Sequence, residues 1–273
     1  MKDLDITMQN PADRRTFLQR MTAAGLGVSA AALLAGCGTG NSSSATIGVS
    51  AAVRSAFPGV SGSSDNIVVL NYALTLETLE AYLYLLALNA ASGLAPTTPL
   101  NVSSSVYAQT VSNGSVSSSL AAAGYLYLVE FAYVEAAHRD FLKNTLGANA
   151  NPVVPSDGIY KFATSSGTPG SDLGTILANV YPLEETGTRA YLGAVPYITD
   201  NNTAQTAATI YSTECRHSAA LAYILGMDIG PNRLIPGVPT PEQEVAPEIA
   251  PNIFEKFLAP SVVLTAASSA YFA

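Results

Sequence analysis

Apolar residues recur at three- and four-residue steps in four long stretches of this chain, each bounded by residues that start or stop helices. The first begins at Ser64-Asp65, a helix cap, and its run NIVVLNYALTLETLEAYLYLLALNAASG sets Leu70, Ala73, Leu74, Glu77, Ala81 and Tyr84 on one face before Gly93 and Pro96 end it. The second extends from about Ser117 to Leu146, with Leu128, Phe131, Glu135, His138 and Leu142 along its inner stripe and Gly147 as its C-terminal cap. A connection dense in Pro, Gly, Ser and Asn follows from Ala148 to Gly170, long enough to cross a bundle. A third helix starts near Ser171-Asp172 and a fourth near Asp200, and the short turn between them makes them antiparallel neighbours. Pro182 lies inside the third and predicts a kink or a broken first half. After Gly226 the chain turns Pro-rich, and residues 227–273 read as an irregular extension packed on the bundle. The pattern is that of an all-α four-helix bundle over residues 65–226.

Composition agrees with closely packed helices. Of the 273 residues 48% are hydrophobic and only 12% charged, so the chain can bury a sizeable core. The N-terminus reads differently. A polar start leads to Arg14 and Arg15 in DRRTFLQR, then to a weakly apolar stretch from Met21 to Leu34 and the sequence Leu34-Ala35-Gly36-Cys37. That stretch falls short of the roughly twenty residues of a permanent membrane span, so residues 1–37 read as a targeting segment. Residues 38–64, rich in Gly, Ser and Ala, read as a flexible tether. Cys37 and Cys215 are the only cysteines, so no disulfide framework is expected. Of 12 basic and 20 acidic residues, 4 and 3 fall within the first 37, which leaves the remainder at a formal charge of −9. Nucleic acid is excluded as a partner, because its binding rests on clustered Lys and Arg.

The candidate chemistry lies in the two histidines. Each has a glutamate three residues before it, in Glu135-Ala136-Ala137-His138 and Glu214-Cys215-Arg216-His217. With 11 glutamates in the chain, composition alone gives this coincidence about one chance in six hundred. On a helix, positions i and i+3 share a face, so each pair can ligate one metal ion from one side. The first helix adds Glu77 and Glu80, and the third Glu184 and Glu185. Cys215 points about 100° away from its neighbours on such a helix and reads as a buried structural thiol; Arg216 reads as a surface or carboxylate-pairing residue.

The order Glu, Glu-x-x-His, Glu, Glu-x-x-His resembles the ferritin-like superfamily, over roughly residues 66–226. The segments LNYALTLETLEAYLY and LEETGTRAYLGA resemble the bacterial ferritin-like domain proteins and the plant desiccation-related proteins more than the cage-forming ferritins. In that pattern a tyrosine follows the ligand glutamate by seven residues, which matches Glu77 with Tyr84 and Glu184 with Tyr191; Gly187 also fits the bacterioferritin spacing Glu-x-x-Gly. The resemblance thus implies Glu77 and Glu184 as terminal ligands, Glu135 and Glu214 as bridges, and one metal ion for each of His138 and His217. Glu80, Tyr84, Glu185 and Tyr191 would surround these ligands, or in the case of the acids lie at the surface. Two divalent ions would balance four buried carboxylates. The mixed oxygen and nitrogen donors suit iron or manganese and leave zinc open.

DRRTFLQ resembles a twin-arginine export signal and LAGC a lipobox, whose Cys37 would carry the lipid. These resemblances imply export in the folded state through the twin-arginine translocase, a lipid anchor in the membrane, and an extracytoplasmic location. The expected function is a dimetal protein reacting with dioxygen or peroxide. The alternative is a stress- or desiccation-related structural protein whose metal site is structural or vestigial. A homodimer is compatible with both; a storage cage sits awkwardly with a lipid tether and a long tail.

Overall fold

The computed structural model describes residues 48–101, 107–230, 238, 243 and 255–272. The expected export signal, with Arg14, Arg15 and Cys37, lies outside the described residues. The helices run α1 (Ala51–Ala56), α2 (Asp65–Ala91), α3 (Ser118–Leu146), α4 (Leu173–Ala194), α5 (Asn201–Ile224) and α6 (Pro260–Tyr271). Among the described residues the only β-type pairing is an isolated antiparallel bridge between Gln243 and Phe257.

Local chemistry sets the bundle's boundaries. Ser64, Asp172 and Asp200 each accept a hydrogen bond from the backbone N–H three residues on, which satisfies a donor that the first turn leaves unpaired. Gly147, at φ 53°, closes α3. Helices α2 and α3 form one antiparallel pair and α4 and α5 a second; α2 lies beside α4 and α3 beside α5.

Two apolar clusters fill the interior. Leu83, Leu88, Leu128, Leu177 and Leu221 belong to one, and Leu74, Leu142, Leu146 and Ile210 to the other. Along each of α2, α3 and α5 the sequence passes from one cluster to the other across the positions of Glu77, Glu135 and Glu214, so the polar centre is a layer between two apolar plugs. A fully buried Leu contributes about 1.5–3 kcal/mol by leaving water, so both ends of the bundle are stabilised independently of what the middle layer holds.

Three segments depart from the sequence expectation. The tether expected over residues 38–64 is packed in its described part, residues 48–64: Val53 of α1 and Phe57 just after it are buried in a third cluster with Tyr72, Leu76, Ala190, Leu258 and Val263, and the Ser50 N–H donates to Asp65 Oδ1 at 2.7 Å. Nor is the extension irregular to its end, because α6 packs Val263 and Leu264 into that same cluster. The approach of the chain into α6 depends on Gly193, where a β-carbon would stand 1.8 Å from the Leu258 carbonyl oxygen. Finally, α4 runs through Pro182 without a break, which removes the broken first half of the two alternatives expected there. A proline in a helix interior costs about 3 kcal/mol, and the burial of Val180, Tyr181 and Leu183 around it outweighs that cost.

Helix α2 is buried on nearly every side, because α1, α6 and the crossing connection cover what would be its outer face. Asn71 fastens that cover. Its Nδ2 donates to the carbonyls of Ser61 (3.0 Å) and Asn149 (2.9 Å), and its Oδ1 accepts from the Asn151 N–H at 2.7 Å. One turn later Thr75 Oγ1 accepts from the Val153 N–H at 2.9 Å.

Candidate metal centre

The helical phase of each segment brings Glu77 from α2, Glu135 and His138 from α3, Glu184 from α4, and Glu214 and His217 from α5 into the middle layer. Their donor atoms form two groups. Glu77, Glu135, His138 and Glu214 make one and Glu135, Glu184, Glu214 and His217 the other, with the atoms of each group within 4.8 Å of one another. All four glutamates are fully buried. Glu135 and Glu214 belong to both groups, as bridging residues must.

Both imidazoles turn Nδ1 inward. His138 Nδ1 lies 3.1 Å from Glu135 Oε2, 3.3 Å from Glu77 Oε2 and 3.5 Å from Glu214 Oε1. His217 Nδ1 lies 2.8 Å from Glu135 Oε1 and 3.2 Å from Glu184 Oε2. The 2.8 Å approach lacks hydrogen-bond alignment, so Glu135 Oε1 accepts no hydrogen bond. The His217 ring stacks on Phe131, with centroids 3.7 Å apart, and Phe131 stacks in turn on Tyr127 at 5.5 Å. Phe131 read from the sequence as an ordinary core position; its role against His217 follows from packing between α3 and α5, which spacing along one helix does not reveal.

The two tyrosines cross between halves. Tyr191 of α4 donates to Glu77 Oε1 of α2 at 2.6 Å, and Tyr84 of α2 donates to Glu184 Oε1 of α4. The seven-residue spacing thus has a physical origin: two helical turns past one glutamate, a tyrosine reaches the glutamate of the neighbouring helix.

Glu80 and Glu185 divide. Glu80 is buried beside the centre, its Oε2 without a hydrogen-bond donor. Glu185 faces away from the two donor groups. It accepts from Arg189 Nε at 3.1 Å and Nη2 at 2.9 Å, one helical turn on, and from the Ser218 hydroxyl. Neither is a surface group. The sequence signal for Glu185 was the i+4 position of Arg189. Gly187 makes room at the centre, since a β-carbon there would stand 2.9 Å from Glu214 Oε2 and 3.1 Å from Glu80 Oε1. Cys215 is half-buried and free, and burial raises its thiol pKa; Arg216 is at the surface, bonded to Ser212 of its own helix.

Packing these carboxylates together away from water moves their protons. Burial lifts Glu77 to about 7 and pushes Glu80 and Glu214 well above the ordinary carboxylate range, with neighbouring carboxylates adding to the rise. Burial acts the same way on Glu135, but His138 and His217 outweigh it and hold that group below the ordinary range. Burial disfavours charge on the imidazoles, yet the carboxylates around them prevail: His138 is raised well above its usual value and His217 to about 9. Fully buried Glu77 Oε2, Glu135 Oε1 and both oxygens of Glu214 accept no hydrogen bond. Unpaired acceptors of that kind are costly, and they are oxygens from the two donor groups. The residues therefore fit a pair of divalent cations, whose binding would displace the protons.

A family described as "Ferritin-like domain" matches residues 65–227 of the chain. No curated protein sequence matches it.

Proposed function

Because the chain belongs to the ferritin-like domain family through residues 65–227, we propose that it is a dimetal protein that reacts with dioxygen or peroxide. Glu77 and His138 would hold one divalent ion and Glu184 and His217 the other, with Glu135 and Glu214 between them. The observation that carries this reading is the sharing of Glu135 and Glu214 by two donor groups that are otherwise separate. Iron or manganese bound there would supply the electrons for cleaving an O–O bond. The chain's own part is to orient and to exclude. Tyr191 and Tyr84 fix the terminal glutamates, Phe131 fixes the plane of His217, and the apolar clusters on either side keep bulk water from the layer. Metal analysis of protein purified from its native compartment should find about two ions per chain, and the reduced protein should consume dioxygen or hydrogen peroxide. Full metal content in a Glu135→Ala variant would falsify the assignment.

A second reading is favoured by one observation: the six residues come from all four bundle helices. Ions bound to them would tie the bundle together, so a structural role without turnover follows from the same geometry. Retention of two ions with no consumption of either oxidant selects this reading. Export and anchoring belong to the proposal through Arg14, Arg15 and Cys37. A Cys37→Ala variant should leave the membrane fraction, and an Arg14→Lys, Arg15→Lys variant should remain in the cytoplasm.

A further inference from the structure

The two halves of the centre differ three residues past each terminal glutamate, where α2 carries Glu80 and α4 carries Gly187. Both line one cavity. It has a volume of about 40 Å³ and lies between α2, α4 and α6, bounded also by Leu79, Thr186, Ala267 and Tyr271. Its walls are mostly apolar, and the buried Glu80 carboxylate, with Oε2 unpartnered, is the charged group in its lining. At the inner end the absent side chain of Gly187 leaves Glu214 Oε2 within 2.9 Å of where a β-carbon would stand. The Glu80 carboxylate shares that gap, with Oε1 at 3.1 Å from the same point. On the outer side α6 faces the cavity with Ala266, Ala267 and Ala270, and side chains this small leave the space open.

We infer that this cavity is the passage by which a small O–O oxidant, dioxygen or hydrogen peroxide, reaches the centre, with α6 as its outer wall and Glu80 at its inner end. A single water needs about 10–15 Å³ of such space, so 40 Å³ admits a molecule of two to four atoms and turns away organic substrates. The inference rests on the dimetal reading above and narrows its substrate by size. It also gives α6 a function: a helix added outside the bundle forms the wall of the route inward.

The test fills the passage from α6. In the whole chain loaded with iron(II), Ala267→Leu should slow oxidation by dioxygen and by hydrogen peroxide about ten-fold or more, with iron content unchanged. Ala270→Leu, at the half-buried rim, should do the same with less demand on the packing of α6, and serves where Ala267→Leu does not fold. Xenon-pressurised crystals of the metal-free protein supply a second readout, with xenon between α2, α4 and α6 in the wild type and none in the variants. Oxidation rates within about two-fold of wild type at full iron content would overturn the passage, as would absence of xenon from the wild-type cavity. If the wild type holds iron yet reacts with neither oxidant, the functional reading fails, and the rate of nitric oxide binding to the iron(II) protein then tests the passage on the same variants. A wild type that binds neither iron nor manganese overturns both.

Discussion

Helices α2 and α3 on one side, and α4 and α5 on the other, present the same three side chains at the same spacing: a glutamate, then a glutamate and a histidine three residues apart. Their surroundings differ. His138 retains 16% side-chain exposure and its ring stacks on no aromatic ring among the described residues, whereas His217 is 6% exposed and stacks on Phe131. Glu77 shares its helix with the buried Glu80; the matching position on α4 is Gly187. With near-symmetric donors within asymmetric walls, two ions bound there would be alike in donors and unlike in access, with the His138 side nearer to solvent and the His217 side enclosed.

The sharpest way to break this comparison is to remove what the halves share. Glu214→Ala deletes a donor from both groups and leaves a void in the layer, so both ions should be lost, a fall in metal content of more than about ten-fold. His138→Ala deletes a donor from one group only, and its stoichiometry should fall from about two ions to about one. Elemental analysis of the purified variants distinguishes these outcomes. Equal loss from Glu214→Ala and His138→Ala would mean that the two positions fill as a unit and that the shared carboxylates do not set the order.

The four helices also differ in how they are covered. On α2 twenty of 27 residues are buried, on α5 nine of 24. The difference lies in the outer face, which on α5 is a run of Thr and Ser bonded to its own carbonyls and on α2 is roofed by other chain segments. Asn71 is the chief polar fastening of that roof, and Asn71→Ala would leave two carbonyls and one N–H without their partner. Ser61, Asn149 and Asn151 are exposed, so water can reach the freed groups, and at about 0.5–1.5 kcal/mol net for each of the three hydrogen bonds the loss should be about 2–4 kcal/mol. Ser212→Ala on α5 should change stability by less than about 0.5 kcal/mol. Chemical denaturation of the metal-free proteins measures both. Metal stoichiometry should be unchanged in each, since neither residue belongs to the donor groups.

That contrast also explains which parts of the fold were legible in the sequence. Helices α2 and α3 announce themselves through an apolar stripe and a glycine stop, and α4 and α5 through their caps and the short turn between them. The role of α2's other faces was hidden, because periodicity marks a buried face only against an exposed one, and α2 has little exposed face to serve as contrast. The family pattern left Glu80 either around the ligands or at the surface, and the structure buries it beside the centre. Helix α1 offers only Val53 and Phe57 as apolar anchors among Ala and Ser, a composition shared with flexible linkers. Helix α6 follows a Pro-rich stretch that argues for irregular chain. The candidate centre was easier to find. With two histidines in the whole chain, each three residues after a glutamate, scarcity pointed to α3 and α5, and four-helix geometry then required acids on α2 and α4. What scarcity could not show was the bond from Ser218 to Glu185 or the crossing of the two tyrosines, because both depend on how helices face one another.

The tyrosines give the finest test of the comparison. Tyr191→Phe removes the hydrogen bond to Glu77, and Tyr84→Phe the one to Glu184, while each keeps the ring that fills the core. Partners that orient a ligand typically change metal affinity by about ten- to a hundred-fold when lost. The two sides should not respond alike. In the metal-free protein Glu184 also has a hydrogen bond with His217 Nδ1 at 3.2 Å, and that ring is stacked on Phe131, so Tyr84→Phe removes one of two supports that hold Glu184 in place before an ion binds. The His138 Nδ1 hydrogen bond goes to Glu135, at 3.1 Å; its 3.3 Å approach to Glu77 Oε2 makes no hydrogen bond, and that oxygen has none from any other donor. Tyr191→Phe therefore takes away the principal hydrogen bond holding Glu77 in place. Its weaker-binding ion should dissociate more readily than in Tyr84→Phe, at the upper rather than the lower end of that range. Competition titration against a chelator, following the two binding steps separately, reads the difference; equal weakening of one step in both variants would show that the walls around the two positions do not distinguish them.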